Sequence, residues 1–296
     1  MRGTCSSIML LLIACAATAG CSLNPSHPYA TADISLLEDA RFTLANARTG
    51  VWTPSKFQRA GGEGIYFLDH YDRSKIPVLF IHGLYGSPRN FSYLLAHLDR
   101  NRFQPWLYYY ASGANLTGIA ERLLNEIDSL CAYYEVRSFA IVAHSMGGLV
   151  ARDVLLRSSR LERTAVPVLI TLSTPWDGHR AAAVGARFLP TAVAAWHDLA
   201  SRSAYIEALF QTSSGVHRHL PDGTEHHLLA SIGLRTSRGA NASDGAVSVA
   251  SQLREQAWID AHRVYRFDET HVGILNSPGV ADTINLTLAS VLTSTR

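Results

Sequence analysis

One stretch, Ser138–Leu156, constrains this chain more than any other: a short apolar run passes almost without a spacer into a helix-forming segment. The run Ser138-Phe-Ala-Ile-Val-Ala143 is too brief for a helix and rich in strand formers, so it reads as a buried strand. Leu149–Leu156 reads as a helix. Between them lies small–x–Ser–x–Gly, here Ala143-His144-Ser145-Met146-Gly147. A strand that turns into a helix this sharply brings the residues two before and two after the serine together, and only very small side chains fit there. Ala143 and Gly147 meet that demand. The turn lifts the Ser145 hydroxyl above the sheet and aims the Met146 N–H at the same space.

The rest of the chain repeats the alternation. Pro77–Ile81, Pro105–Tyr110, Val166–Leu172, His227–Ile232 and Arg263–Phe267 are further strand-like runs, with helix-period segments near Asn90–Leu98, Leu116–Tyr134 and Val280–Leu292. Strands alternating with helices predict an α/β fold: a mainly parallel sheet with helices on both faces, binding ligands at the carboxyl ends of its strands. With 296 residues, 47% hydrophobic and 17% charged, the chain suits one globular domain with an ample core, over residues 34–296. A formal net charge of +2, without a basic run, gives no reason to expect nucleic acid as a partner. One interval breaks the rhythm. Asp177–Gly223 separates two strands by far more than an ordinary connection and holds helix-like Ala181–Phe188 and Ala192–Phe210, with Trp196, Tyr205 and Phe210. A helical cap or lid inserted at about 177–223 is one reading; aromatic packing into the core is the other.

The amino terminus stands apart from the fold. Arg2 precedes an apolar run, Ile8–Gly20, that is too short to span a membrane comfortably and ends in small residues, as a secretory signal does. Thr18-Ala19-Gly20-Cys21 resembles the bacterial lipoprotein box, although Thr18 stands where Leu is usual. Residues 1–20 are then a signal peptide, Cys21 the lipidated first residue, and 21–33 a tether. Leu12-Ile13-Ala14-Cys15 fits the box letter by letter but leaves an apolar region of about five residues, below the usual range. An ordinary cleaved signal with incidental cysteines is the third option. One acyl chain binds membranes marginally; the resemblance implies two or three on Cys21, a firm anchor, and Ser22 leans towards the outer membrane. The expected location is the bacterial envelope, as an outer-membrane lipoprotein facing the periplasm or the exterior. Cys131 is expected to be a buried, inert thiol. In that setting the Asn-x-Ser/Thr triplets at Asn115, Asn241 and Asn285 carry no glycan.

A serine hydroxyl is a poor nucleophile until a base takes its proton and a third group orients the base. Among 13 histidines, His271 is chosen by position, on the loop that follows the Arg263–Phe267 strand. The expected chain order is Ser, acid, His. Asp244, in Ala242-Ser243-Asp244-Gly245, satisfies it from the loop after His227–Ile232. Asp177, directly after the Val166–Leu172 strand, competes as the acid, whereas Asp268 lies too near His271 in sequence. Phe80-Ile81-His82-Gly83-Leu84 ends a strand in a glycine loop, so the Leu84 N–H is paired with that of Met146 as an oxyanion hole. His82 is read as a loop-stabilising residue.

From about Ile76 to Leu292 the chain resembles the α/β-hydrolase superfamily, and within it bacterial lipase/esterase-like lipoproteins. His82-Gly83-Leu84, Ala143–Gly147, Ser173-Thr174-Pro175, Ser243-Asp244-Gly245 and His271 carry the resemblance. It implies ester hydrolysis through an acyl-serine intermediate, with Ser145, Asp244 and His271 as catalytic residues and an ester or lipid as substrate. Lipases similar to the secreted calcium-dependent type carry Asp two residues after the histidine; Gly273 stands here. No calcium, other metal or cofactor is therefore expected, and no nucleotide-binding motif occurs. Leu84, Tyr85, Met146, Trp176 and the aromatics of the insert suggest an apolar acyl pocket. Two other classes remain open: an acyltransferase using the same acyl-serine, and a non-catalytic envelope binding protein.

Overall fold

Among the described residues, eight strands form one sheet: β1 (Asp33–Ile34), β2 (Gly64–Phe67), β3 (Ile76–Ile81), β4 (Phe103–Tyr109), β5 (Ser138–His144), β6 (Ala165–Leu172), β7 (Glu225–Ser231) and β8 (Ala261–Phe267). Their spatial order is β1-β2-β4-β3-β5-β6-β7-β8. The computed structural model describes residues 33–34, 37–161, 163–179, 182, 193–233 and 242–293. From β4 to β8 every neighbouring pair is parallel, while β2 runs antiparallel to β4. This is the mainly parallel α/β sheet that the alternation predicts.

Side chains alternate across the pleat, and the two faces bury separate cores. Leu79 and Ile81 of β3 join the apolar cluster that includes helices Leu116–Tyr134 and Met146–Leu156. Val78 and Phe80 join the opposite cluster, with helices Ser92–His97 and Pro278–Thr293. Helix Leu116–Tyr134 shows why such packing holds. Leu116, Ile119, Ala120, Leu123, Leu124, Ile127 and Leu130 form one buried stripe at helical spacing. Each buried Leu or Ile contributes about 1.5–3 kcal/mol relative to exposure. The Asn115 side chain accepts from the Gly118 amide to start this helix, and Glu135, at φ 57°, ends it.

Register sets the carboxyl ends of the central strands side by side. Ile81 pairs with Ala143, His144 with Leu172, Leu172 with Leu229, and Ser231 with Phe267. The loops after β3, β5, β7 and β8 therefore rise from one edge.

Several boundaries differ from the sequence reading. The helix after the Ser145 turn begins at Met146 instead of Leu149, and the segment near Asn90 opens as a 3-10 turn, Pro88–Phe91. Helices Leu44–Trp52 and Pro54–Arg59, and strand β2, carry too little periodicity to be read from sequence. In the insert, helices Ala194–Leu199 and Ala204–Phe210 are separate, broken where Arg202 adopts φ 57°. Ala181–Phe188, except Ala182, lies outside the described residues. Ile206, Leu209 and Phe210 are buried in the core, so these insert side chains pack as structure. The signal peptide, Cys21 and the tether to residue 32 also lie outside the described residues; Asp33, the tether's expected last residue, already pairs with Tyr66. No described helix is long and apolar enough to cross a membrane. Cys131 is buried, and burial pushes its thiol up to about 12.

Candidate active site

Ser145 occupies φ 54°, ψ −127°, a backbone conformation unusual for any residue but glycine. Its amide donates to Leu172 O at 2.8 Å, and its carbonyl accepts from the Gly148 amide at 2.9 Å. The surroundings explain the small residues. A Cβ on Gly147 would stand 2.4 Å from Ile81 O and 2.6 Å from His82 O. A Cβ on Gly148 would stand 2.0 Å from Thr174 Oγ1, and one on Gly83 2.9 Å from Ser145 Cβ. The end of β3 and the Ser145 turn thus pack backbone to backbone.

The Ser145 hydroxyl lies 2.9 Å from His271 Nε2, and His271 Nδ1 lies 2.8 Å from Asp244 Oδ2. The three residues named from sequence form one hydrogen-bonded line across the loops after β5, β7 and β8. Asp177 does not reach it. Its carboxylate faces Arg202 and Arg254, each at 3.7 Å.

Asp244 is buried and fully engaged. Oδ2 also accepts from Ser231 Oγ at 2.6 Å and Gln252 Nε2 at 2.9 Å; Oδ1 accepts from the amides of Ala246 and Val247 at 2.9 and 2.7 Å. Burial by itself would raise this carboxyl. The hydrogen bond and charge of His271, with the Ser231 hydroxyl and the Val247 amide, outweigh burial and hold it below the usual carboxylate range. An ionised Asp244 fixes Nδ1 of His271 as the protonated nitrogen and leaves Nε2 to accept from Ser145.

The His271 backbone is pinned as well. Its amide donates to Asp244 O at 2.9 Å, and its carbonyl accepts from His144 Nε2 at 2.8 Å. Burial, with the adjacent His271, pushes His144 down to about 3, so the ring is a neutral donor. His82 has the loop-stabilising role expected of it. Its Nδ1 donates to Gly83 O at 2.8 Å, its ring stacks on Tyr110 at 4.2 Å, and its carbonyl accepts from Tyr110 Oη at 2.5 Å. Burial lowers this histidine to about 4.

Leu84 and Met146 share the pocket with the serine, and no backbone hydrogen bond from either amide occurs among the described residues. Both residues line a pocket of about 290 Å³ that reaches Ser145 and His271 and continues past Tyr85 and Trp196. Trp176, expected in the pocket, is fully buried instead, packed edge-on against Phe210 and His226. Trp196 of the insert takes the place at the wall.

Sequence reasoning missed Ser231, Gln252 and His144. Gln252 lies 8 residues after Asp244 and Ser231 lies 13 before it, and no local motif links them. His144 was visible only as the variable position of its motif. Side chains spaced to hold a metal ion occur elsewhere, at His217, His219 and Asp260.

Residues 72–197 match the model of a family described as "Putative serine esterase (DUF676)". No curated protein matches the chain. Among solved structures it is similar to the mature form of the Bacillus licheniformis lipase BlEst2, with a TM-score of 0.56 at 18% identity over 74% of this chain and 94% of that one. It is equally similar in shape to the product of gene lin2722 from Listeria innocua, with a TM-score of 0.56 at 13% identity over 73% and 94%. At such identities the likeness is one of fold, and that fold is the α/β-hydrolase fold.

Proposed function

We propose that this α/β-hydrolase-fold chain hydrolyses carboxylic esters of an apolar acyl group through an acyl-serine intermediate. The observation that carries the reading is the unbroken line Ser145–His271–Asp244, opening on an apolar pocket lined by Leu84 and Met146. Ser145 Oγ attacks the ester carbonyl as its proton passes to His271 Nε2. The Leu84 and Met146 N–H groups face the developing oxyanion, each worth roughly 10²–10³-fold. His271 returns the proton to the leaving alkoxide, then activates water against the acyl-serine. The match to a serine esterase family over residues 72–197 supports the same chemistry.

Hydrolysis of p-nitrophenyl esters from acetyl to palmitoyl by residues 22–296, beside Ser145→Ala, tests the proposal. Turnover that falls about 10⁴-fold or more in the variant, with fluorophosphonate labelling lost, supports it. A folded protein that neither turns over nor labels would sink it and favour a binding role. Ester exchange with added alcohol, outrunning hydrolysis, would redirect the reading to acyl transfer.

The domain is further proposed to sit on the bacterial envelope through lipid on Cys21, following Thr18-Ala19-Gly20. Cys21→Ser should release it from the membrane fraction. Retention of that variant would count against the anchor.

A further inference from the structure

His217 and His219 are separated by one residue, and His217 bridges Gln211 as in a short antiparallel pair. In extended chain, side chains at i and i+2 share a face. Both rings converge on one atom: His217 Nε2 and His219 Nδ1 each lie 2.9 Å from Asp260 Oδ1. The Asp260 side chain is only 2% exposed, whereas that of His219 is 68% exposed. The other carboxylate oxygen, Oδ2, is occupied by Arg152 Nη2 at 2.5 Å. The cluster plays no part in the reaction proposed above.

We propose that His217, His219 and Asp260 form a binding site for a zinc-type divalent cation, with water completing the coordination. The three ligand atoms lie within 4.8 Å of one another. Two imidazole nitrogens with one carboxylate oxygen suit zinc and its borderline neighbours, where calcium and magnesium take oxygen. In a tetrahedral zinc site, bonds near 2.0–2.1 Å separate ligand atoms by about 3.3 Å, so each imidazole nitrogen has to move a few tenths of an ångström from Oδ1, and the two nitrogens, within 4.8 Å of each other, have to draw together by up to about 1.5 Å through rotation of the His219 ring. The exposed His219 has room for that. Its solvent side also gives the ion a way in and a place for water.

Arg152 supplies the outer support that ligating carboxylates usually have. By holding Oδ2 it orients the group and leaves Oδ1 as a single ligand atom. The guanidinium is itself fixed by Leu209 O at 3.0 Å and Arg218 O at 2.6 Å, and it lies 4.2 Å over the Phe210 ring. Arg218, between the two histidines, turns its charge away and donates to Ala208 O. On binding, the proton on each ligating nitrogen leaves or moves to the other nitrogen of its ring.

The test is Zn²⁺ titration of metal-stripped, tag-free protein, followed by calorimetry and by melting temperature, with Co²⁺ absorption reporting coordination. One equivalent per chain with a micromolar or tighter Kd, and a melting temperature raised by Zn²⁺ and restored by EDTA, is the expected result. His217→Ala and His219→Ala, which delete direct ligands, should each weaken binding by at least the roughly 10–100-fold that loss of an outer-shell partner costs. His219 is exposed, so its variant is expected to fold, and circular dichroism checks this. Absence of saturable binding overturns the proposal, as does an affinity unchanged in His219→Ala. Neither outcome bears on Ser145, because ester turnover and zinc binding are read separately.

Discussion

His144, the residue immediately before the serine, donates through Nε2 to the backbone carbonyl of His271 at 2.8 Å. The turn that presents the nucleophile therefore also holds the loop that presents the base. His144→Ala removes that donor and leaves a carbonyl without a partner, a change worth about 1–3 kcal/mol. A kcat lowered roughly 10-fold, with KM nearly constant and fluorophosphonate labelling retained, is expected. Steady-state kinetics at fixed pH check it; an unchanged kcat would show that the loop is held by other means.

Asp244→Asn is expected to be far more damaging. Oδ2 accepts from three donors, the His271 ring, the Ser231 hydroxyl and the Gln252 amide. An amide nitrogen there meets donors with a donor, and an amide oxygen there no longer carries the charge that stabilises a protonated His271. A fall in kcat of about 10³–10⁴, without loss of fold, follows from the wrong tautomer. Asp177→Asn, in contrast, should leave kcat within a factor of about two, since Asp177 faces arginines outside the line.

How far the sequence already showed this site depends on the span of each signal. Ser145 stands out because the constraints on its turn act within five residues. His271 and Asp244 stand out because chain order and strand ends locate them. Ser231 is invisible in that way. Its hydroxyl meets that of Ser173 at 2.6 Å only because β6 and β7 are neighbours, and strand order is a property of the whole sheet. Trp176 misleads because it directly follows a strand end, where pocket walls are expected, yet its ring turns inward onto Phe210. Helix Leu44–Trp52 escapes notice because Thr49, Gly50 and Val51 are weak helix formers, and the tertiary contacts of Ala47, Gly50 and Val51 stabilise it.

Gly148→Ala should destabilise the fold through a clash with one identified side chain. The new Cβ would lie 2.0 Å from Thr174 Oγ1, and Thr174 is buried. Overpacking of this kind costs roughly 1–3 kcal/mol, and more where the backbone cannot yield. Adding Thr174→Ala removes the two nearest atoms and should restore part of the loss. A denaturant double-mutant cycle measures it, and strict additivity would refute the clash.

Stability should depend on pH through two sets of groups with opposite sign. His82, His144 and His226 are held down by burial, to about 4, 3 and 3, from an ordinary 6.5. Below pH 6.5 the unfolded chain binds protons that the folded chain refuses, so stability falls as pH drops, by about 1.4 kcal/mol per unit for each ring. Glu126 behaves in reverse. Burial, opposed by the Ile65 amide and reinforced by Glu63, pushes it up to about 7 from 4.5. The folded chain then binds the extra proton between pH 4.5 and 7, and stability is lost as pH rises through that window. Glu126→Gln keeps an oxygen for the Ile65 amide at 2.9 Å but carries no charge. Its melting temperature should gain on the parent from pH 4.5 upward and level off above 7. A gain that does not vary with pH would contradict the assignment.

Arg152 lies seven positions beyond the nucleophile, at the heart of helix Met146–Leu156, and its charge ends on Asp260, the residue immediately before β8. β8 in turn delivers the loop that carries His271. Nucleophile and base are thus joined twice, at the mouth of the site by hydrogen bonds and far below it by a buried ion pair. The start of the edge strand β8 is therefore tied to the helix that follows the nucleophile. Inactivation and loss of helical signal should share one midpoint in urea, so a simple colorimetric assay would serve as a gauge of global cooperativity.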